Sequence, residues 1–218
     1  MRLIPNFKIE RDKRKHILFL GDLFAGSKDR LLTSIVEELN TDFYCMYRTL
    51  PKGPNNGVDE IRMLSSVDAL RPDIIVAHGT AATIATQEIA YMAVPMADIP
   101  KVLINPCFDT SKRLDSMIPP KERKARIELS NAGKKEFLTI TRQMVIEYRL
   151  LEGKLHQGSI KDAHTLFFES DIDTPAYKNF LNHFSSALII PAADESSPEA
   201  VSRIATFIRS LLAVEEND

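Results

Sequence analysis

The sequence PDIIVAHGTAAT, residues 72–83, is the stretch around which the rest of the chain is organised. Its first part, residues 73–77, is apolar after the initial aspartate, which predicts a short strand buried on both faces. Small residues follow at 78–82 and permit a sharp turn, and residues 83–91 predict a helix. The stretch therefore predicts a strand, a tight turn and a helix, with His78 and Gly79 in the turn.

Apolar runs elsewhere in the chain predict five further strands, at residues 16–21, 42–47, 101–105, 163–168 and 187–191. Segments with helical periodicity separate them. Buried strands that alternate with helices predict a mainly parallel, six-stranded sheet covered on both faces, which is a three-layer α/β/α fold. Sites in such sheets lie at the carboxyl ends of the strands. We therefore expect the site in the loops at 21–28, 47–57, 78–82, 105–112, 169–174 and 191–198.

Residues 109–160 interrupt this alternation, being rich in charge and without an evident strand pattern. Apolar residues recur there at spacings of three and four, the pattern of one stripe on a long helix: Phe137, Ile140, Met144, Tyr148, Leu151 and Leu155. We predict one domain over residues 1–218, with a helical cap insertion at 109–160. The stripe on the helix at 134–155 is interpreted as a face that docks onto the body, and a surface for another protein is the alternative.

Composition and charge restrict the partners of the chain. A net charge of -2 over 218 residues argues against binding to nucleic acid or to an anionic membrane. The basic run at 121–126 has no interleaved aromatic residue and indicates a solvated helix face. No apolar run approaches the roughly 20 residues that span a bilayer. The start of the chain lacks the apolar core of a signal peptide, so we expect a cytoplasmic protein.

The two cysteines, Cys45 and Cys107, are too few for a disulfide framework or a cysteine metal site, and both are expected to be buried reduced thiols. No histidine lies among cysteines or carboxylates at ligand spacing, so no metal and no cofactor are predicted. The sequence gives no specific sign of a homo-oligomer.

The loop Gly21-Asp22-Leu23-Phe24-Ala25-Gly26-Ser27-Lys28 shows part of a phosphate-binding pattern. A P-loop needs a lysine directly after its second glycine and a hydroxyl residue after that lysine. Here Ser27 precedes Lys28, and an aspartate follows. The order is wrong for nucleotide binding, although main-chain N–H groups of the loop could still face an anion.

Taken together, the strand-end loops resemble those of the small bacterial α/β-hydrolase-fold esterases of the YqiA type, over about residues 15–212. The segment ILFLGDLFAGS corresponds to I-L-Y-I-H-G and its Ser/Gly-rich loop, and PDIIVAHGTAAT to P-D-L-I-I-G-T-S-x-G-G. KVLINPCF corresponds to a strand that ends in N-P-A. FFESDID and IIPAADES correspond to F-G-T-x-D-x-V and to a final G-G-H. The resemblance implies an esterase-like α/β-hydrolase fold.

The resemblance also implies that the catalytic triad is degenerate. It puts Gly79 at the nucleophile, where no hydroxyl or thiol is left to form a covalent intermediate. Asp194 stands at the general base, without the near-neutral pKa of histidine. Asp171 retains the identity of the orienting acid. At the oxyanion loop, Gly21 and Asp22 replace His and Gly, and an acidic side chain there would oppose an oxyanion.

Three functions are compatible with this pattern. The first is a pseudo-hydrolase that binds a small molecule or a partner in the vestigial cleft. The second is an active ester or thioester hydrolase with a non-standard site around His78, paired with Asp171 or activating a water. The third is an interaction module that uses the helix at 134–155. The predicted cleft is lined by Gly21, Leu23, Phe24, His78, Gly79, Thr80, Phe108, Asp171 and Asp194.

Overall fold

The computed structural model describes residues 10–49, 53–87, 99–131, 134–155, 163–183, 187–191, 195 and 197–214. The strands in these ranges are β1 (His16–Leu20), β2 (Tyr44–Arg48), β3 (Ile74–His78), β4 (Lys101–Ile104), β5 (Lys124–Asn131), β6 (Lys134–Thr141), β7 (Ala163–Phe168) and β8 (Leu188–Ile190). The α-helices are α1 (Arg30–Leu39), α2 (Pro54–Ser66), α3 (Ala81–Ala85), α4 (Thr110–Met117), α5 (Arg142–Glu152), α6 (Pro175–His183) and α7 (Pro198–Val214).

The main sheet has six strands in the order β2-β1-β3-β4-β7-β8, and every neighbouring pair is parallel. Successive strand residues point to opposite faces, so that Ile17 and Phe19 enter one apolar layer while Leu18 and Leu20 enter the other. Helices α1 and α7 cover the first layer, and α2, α3 and α6 cover the second. The three-layer α/β/α prediction is confirmed.

The strand order reverses at β1, because the chain leaves β1 for β2 on one side and later returns to β3 on the other. At such a switch point the loops after the two central strands diverge and leave a crevice at the carboxyl edge of the sheet. The loops that diverge here follow β1 and β3. This topology brings the loop at 21–28 next to the turn at 78–80.

The prediction of one long helix over residues 134–155 is wrong in its first part. Residues 124–141 form an antiparallel hairpin of β5 and β6 that is separate from the main sheet. Leu138 and Ile140 face inward, whereas Phe137 points outward, is 48% exposed and carries the Arg126 guanidinium over its ring. A strand with apolar residues on both faces leaves spacings of three, which imitate a helical stripe.

The second part of the stripe is helical and buried. Helix α5 begins after Thr141, whose hydroxyl accepts the N–H of Met144 as an N-cap. Met144 and Tyr148 pack into a separate apolar cluster of the insertion, and Leu151 is also buried. These residues pack against the protein itself, as the docking interpretation predicts.

The strand, turn and helix that begin in residues 72–83 are called the elbow. Its helix begins at Ala81, two residues before its predicted start, and ends at Ala85. The rest of the predicted helix at 83–91 lies partly outside the described residues. Helix α2 starts at Pro54, a residue that suits the first turn because it has no N–H to satisfy. None of the described helices has the length and apolar character needed to cross a bilayer.

Candidate functional site

The turn after β3 is held in an unusual backbone conformation. Gly79 has φ +56°, in the left-handed region that glycine enters without the steric cost of a side chain. Its N–H donates to the Ile104 carbonyl at 2.9 Å, and its own carbonyl accepts the N–H groups of Ala82 and Cys107. These three hydrogen bonds fix the tip of the turn beside the end of β4.

The space in front of Gly79 is filled by the side chain of Asp22. A Cβ atom at position 79 would lie 2.7 Å from Asp22 Oδ1, too close for any real side chain. The same oxygen accepts the Thr80 N–H at 3.0 Å and the Thr80 hydroxyl at 2.6 Å. In α/β-hydrolases the N–H that follows the nucleophile helps to stabilise the oxyanion. Here the N–H that follows the tip of the turn already donates to a carboxylate of the same chain.

The rest of the loop after β1 is hydrogen-bonded to the elbow and packs against β2. The Leu23 N–H donates to the Thr80 hydroxyl at 2.9 Å, and the Asp22 N–H donates to Asp29 Oδ2 at 3.1 Å. A Cβ atom at Gly21 would lie 2.7 Å from the Tyr47 hydroxyl, which in turn accepts the Asp29 N–H. Gly21 is therefore buried and permits this close packing rather than lining an open cleft.

His78 is paired with Asp29. Its Nδ1 lies 2.6 Å from Asp29 Oδ2, and the two side chains are 11% and 2% exposed. Asp29 also caps α1 by accepting the Leu32 N–H, and it accepts the Asp22 N–H, so it joins the elbow, the loop and the helix. Burial alone would raise the pKa of Asp29, but these hydrogen bonds and the positive charge of His78 lower it.

The charge of His78 follows from this environment. Burial disfavours the imidazolium, but the hydrogen bond to Asp29 and the negative charges of Asp29, Asp22 and Glu195 outweigh burial and raise the pKa of His78 to about 9. At neutral pH the side chain is therefore a fixed cationic donor. A protonated imidazole cannot accept a proton from water, so it is a poor general base under these conditions.

A small polar edge lies beyond His78, formed by His78, Asn105, Asp171 and Glu195. His78 Nε2 is 3.8 Å from a Glu195 carboxylate oxygen. The Asn105 amide donates to Asp171 at 2.9 Å and to Glu195 at 3.4 Å. Asn105 has φ 44°, a conformation that asparagine tolerates better than most residues and that often marks functional positions. The edge therefore contains two carboxylates, of which Glu195 approaches the His78 imidazolium and Asp171 is held by Asn105.

The predicted cleft residues are divided among different surroundings. Leu23 is buried in the apolar cluster of the insertion, and Phe24 packs at its margin under the Arg113 guanidinium. Phe108 is buried in the second layer beside the sheet and does not line the polar edge. His78, Gly79 and Thr80 come together with Asp22. Asp171 is held by Asn105, and Asp194 lies outside the described residues.

Among the described residues, neither a thiolate nor a metal site is found at the turn. Burial raises the pKa of the nearby Cys107 thiol to about 12, so it is not a thiolate at neutral pH. No hydrogen bond joins His78 to Asp171 in the described part of the chain, so the pair considered from the sequence does not form there. Within the described ranges, no group of three or more His, Cys, Asp or Glu side chains could hold a metal ion.

Sequence reasoning missed Asp29, Asn105 and Glu195 as members of the site. A signal existed for Asp29, because an aspartate directly before an apolar-periodic segment is a typical N-cap. A cap does not disclose which histidine it will contact. Asn105 stood in the NPC motif at a strand end, and its left-handed backbone has no signature in a single sequence.

Comparison with known proteins supports the fold. No protein-family profile matches the chain, and no curated protein matches its sequence. Among solved structures, the chain is similar to the crystal structure of the esterase domain of a Rhodothermus marinus protein, with a TM-score of 0.58 and 15% sequence identity. The match covers 94% of this chain and 88% of that one. The chain therefore has an α/β-hydrolase-like fold, with the loops after β1 and β3 at its candidate site.

Proposed function

We propose that this chain is a divergent, esterase-like member of the YqiA type that has lost Ser-His-Asp hydrolysis and binds a small molecule or a partner in its cleft. The observation that supports this most directly is the Asp22 carboxylate in front of Gly79, hydrogen-bonded to the Thr80 N–H. A tip without a hydroxyl or thiol forms no acyl intermediate, and a carboxylate on the donor repels a developing oxyanion.

The charge of His78 supports the same function. With its pKa raised to about 9, His78 is cationic at pH 7 and bound to Asp29, so it positions the loop and the turn. The arrangement is that of a structural ion pair which joins two loops.

The experiment is an activity test with a covalent probe. Short acyl esters and acyl thioesters are assayed at pH 7, with fluorophosphonate labelling in parallel, for the wild type and His78→Ala. We expect neither turnover above the buffer rate nor labelling. Turnover that disappears in His78→Ala, or stoichiometric labelling of the wild type, would overturn the proposal.

A second candidate is hydrolysis of carboxylic esters or thioesters by a water activated at His78, and the Asp29–His78 pair favours it. A carboxylate that orients an imidazole is the arrangement of a general-base dyad. Because the pKa of His78 is raised to about 9, such activity would rise between pH 7 and 10 and would be lost in Asp29→Asn. A flat rate over this range, equal in both proteins, would exclude it.

A further inference from the structure

A cavity of about 140 Å³ lies between the loop after β1 and the β5–β6 hairpin. Its lining combines that loop, residues of the hairpin and Thr49. No residue of the polar edge lines it.

Three leucines form the apolar part of the cavity wall. Leu23, Leu129 and Leu138 all face it and are buried at 4%, 8% and 4% exposure. Cavities of about this size lined by aliphatic side chains accept molecules as large as benzene. The space therefore suits an alkyl group of about four to six carbon atoms.

The charged groups that line the cavity are carboxylates. Asp22 Oδ1 already takes both hydrogen bonds from Thr80, whereas Asp22 Oδ2 accepts none from the described residues. Glu136, which points inward from the hairpin, holds the Ser27 N–H at 2.7 Å and the Ser27 hydroxyl. The described lining residues include two carboxylates and no lysine, arginine or histidine.

We propose that this cavity binds a small organic ammonium ion, with its alkyl group against the three leucines and its N–H groups on Asp22 Oδ2. This inference rests on the binding role proposed above and gives it a place and a ligand class. A carboxylate ligand would meet like charges at Asp22 and Glu136. A neutral alkyl ligand would leave Asp22 Oδ2 without a donor from the described residues, whereas an ammonium ion can donate to this oxygen while its alkyl group contacts the leucines.

The experiment is a titration of the full chain with n-butylammonium chloride at pH 7 and low salt, followed by amide NMR shifts and by calorimetry. n-Butanol and sodium butyrate serve as matched probes of the same chain length without the positive charge. We expect saturable shifts at the amides of residues 22–27, 129 and 138 with n-butylammonium and about tenfold weaker binding, or none, with the other two. Equal binding of n-butanol, or shifts confined to residues 78, 105, 171 and 195, would overturn the proposal.

Three variants locate the binding. Asp22→Asn should weaken n-butylammonium binding at least tenfold, and Leu138→Trp should abolish it by filling the space. Glu128→Gln, on the outer face of the same hairpin and paired with Lys135, is the control and should bind as the wild type does. If Asp22→Asn fails to fold, Glu136→Gln replaces it and should show a smaller but measurable weakening. Unchanged affinity in all of them would overturn the proposal, and the esterase assays above remain independent of this result.

Discussion

At the scale of single residues, one position of the site lacks a side chain, and a side chain from elsewhere in the chain fills the space. The tip of the elbow carries no side chain at Gly79, and the carboxylate of Asp22, 57 residues earlier in the chain, takes up the space that a side chain there would use. The two residues are therefore coupled. A substitution at only one of these two positions would therefore not recreate a hydrolase site.

The first prediction concerns Gly79→Ser, which should restore no ester hydrolysis and should lower the free energy of unfolding by about 1–3 kcal/mol. The new Cβ would lie 2.7 Å from Asp22 Oδ1, and a side chain at φ +56° is strained. Urea unfolding of Gly79→Ser, Asp22→Ala and the double mutant measures the coupling. The cost of Gly79→Ser should be smaller in the Asp22→Ala background by at least about 0.5 kcal/mol. Strict additivity, or esterase activity in the single mutant, would contradict this account.

The second prediction concerns His78 and high pH. The pKa of His78 is raised from 6.5 to about 9, so the unfolded chain loses the proton before the folded one does. This contribution to stability is complete below pH 6.5 and is lost as pH rises toward about 9. We expect the free energy of unfolding to fall between pH 6.5 and 8.5, and to fall much less in His78→Gln. The comparison stops at pH 8.5 because Cys45 and Cys107, with pKa values raised to about 11 and 12, add their own decline above it. Parallel slopes in the two proteins would contradict the ion pair.

At the scale of elements, the insertion is where local pattern and structure differ most. A hairpin and a helix meet at Thr141, and their apolar faces continue into one cluster with Leu23 and Leu114. This cluster is separate from the two layers that cover the sheet. The insertion therefore carries apolar packing of its own, attached to the elbow through the loop after β1.

The third prediction concerns the joint between α4 and α5. Asp109, at the N-cap of α4, makes no side-chain capping bond; instead Glu152, in the last turn of α5, accepts the Ser111 N–H at 2.9 Å and the Ser111 hydroxyl. Glu152→Ala should lower the free energy of unfolding by about 1–3 kcal/mol, because it leaves both half-buried donors without an acceptor. Arg149→Ala, an exposed change on the same helix, should stay within about 0.5 kcal/mol. Chemical denaturation of both variants gives the comparison. Equal effects would show that Glu152 does not stabilise the start of α4.

At the scale of the whole molecule, two histidines lie at opposite ends of neighbouring strands. We expect them to give the free energy of unfolding a maximum as a function of pH. His78 is the last residue of β3, and His16 is the first residue of β1. His16 is 1% exposed, and neither of its ring nitrogens has a hydrogen-bond partner among the described residues. Burial, together with the positive charge of Arg11, lowers the pKa of His16 although Asp73 and Asp12 oppose this.

The fourth prediction follows from His16. Because the unfolded chain binds the proton more readily than the folded one, stability should fall as pH decreases from 6.5 toward 5. His16→Phe, which keeps an aromatic ring beside Tyr44, should remove most of this dependence. Thermal unfolding across this range is the measurement. It lies above the range in which ordinary carboxyl groups titrate. An identical slope in the variant would show that another group is responsible.

The sequence by itself determined the fold class, because each buried strand and each amphipathic helix records its own surroundings in a local period of two or 3.6 residues. The six strands, their alternation with helices and the turn at 78–80 could all be read in this way. The same local reading failed at 124–141, where a strand with outward apolar residues imitated a helix. It also predicted the turn correctly, but it did not predict which side chains contact that turn.

Only the tertiary structure decided which groups meet at the site. His78 contacts Asp29, and Thr80 contacts Asp22, across 49 and 58 residues of chain. These contacts depend on the reversal of strand order at β1, which brings two particular loops together. The protonation of His78 follows from the same juxtaposition, because the pKa of a buried imidazole is set by the charges packed around it. No local pattern in the chain carries that information.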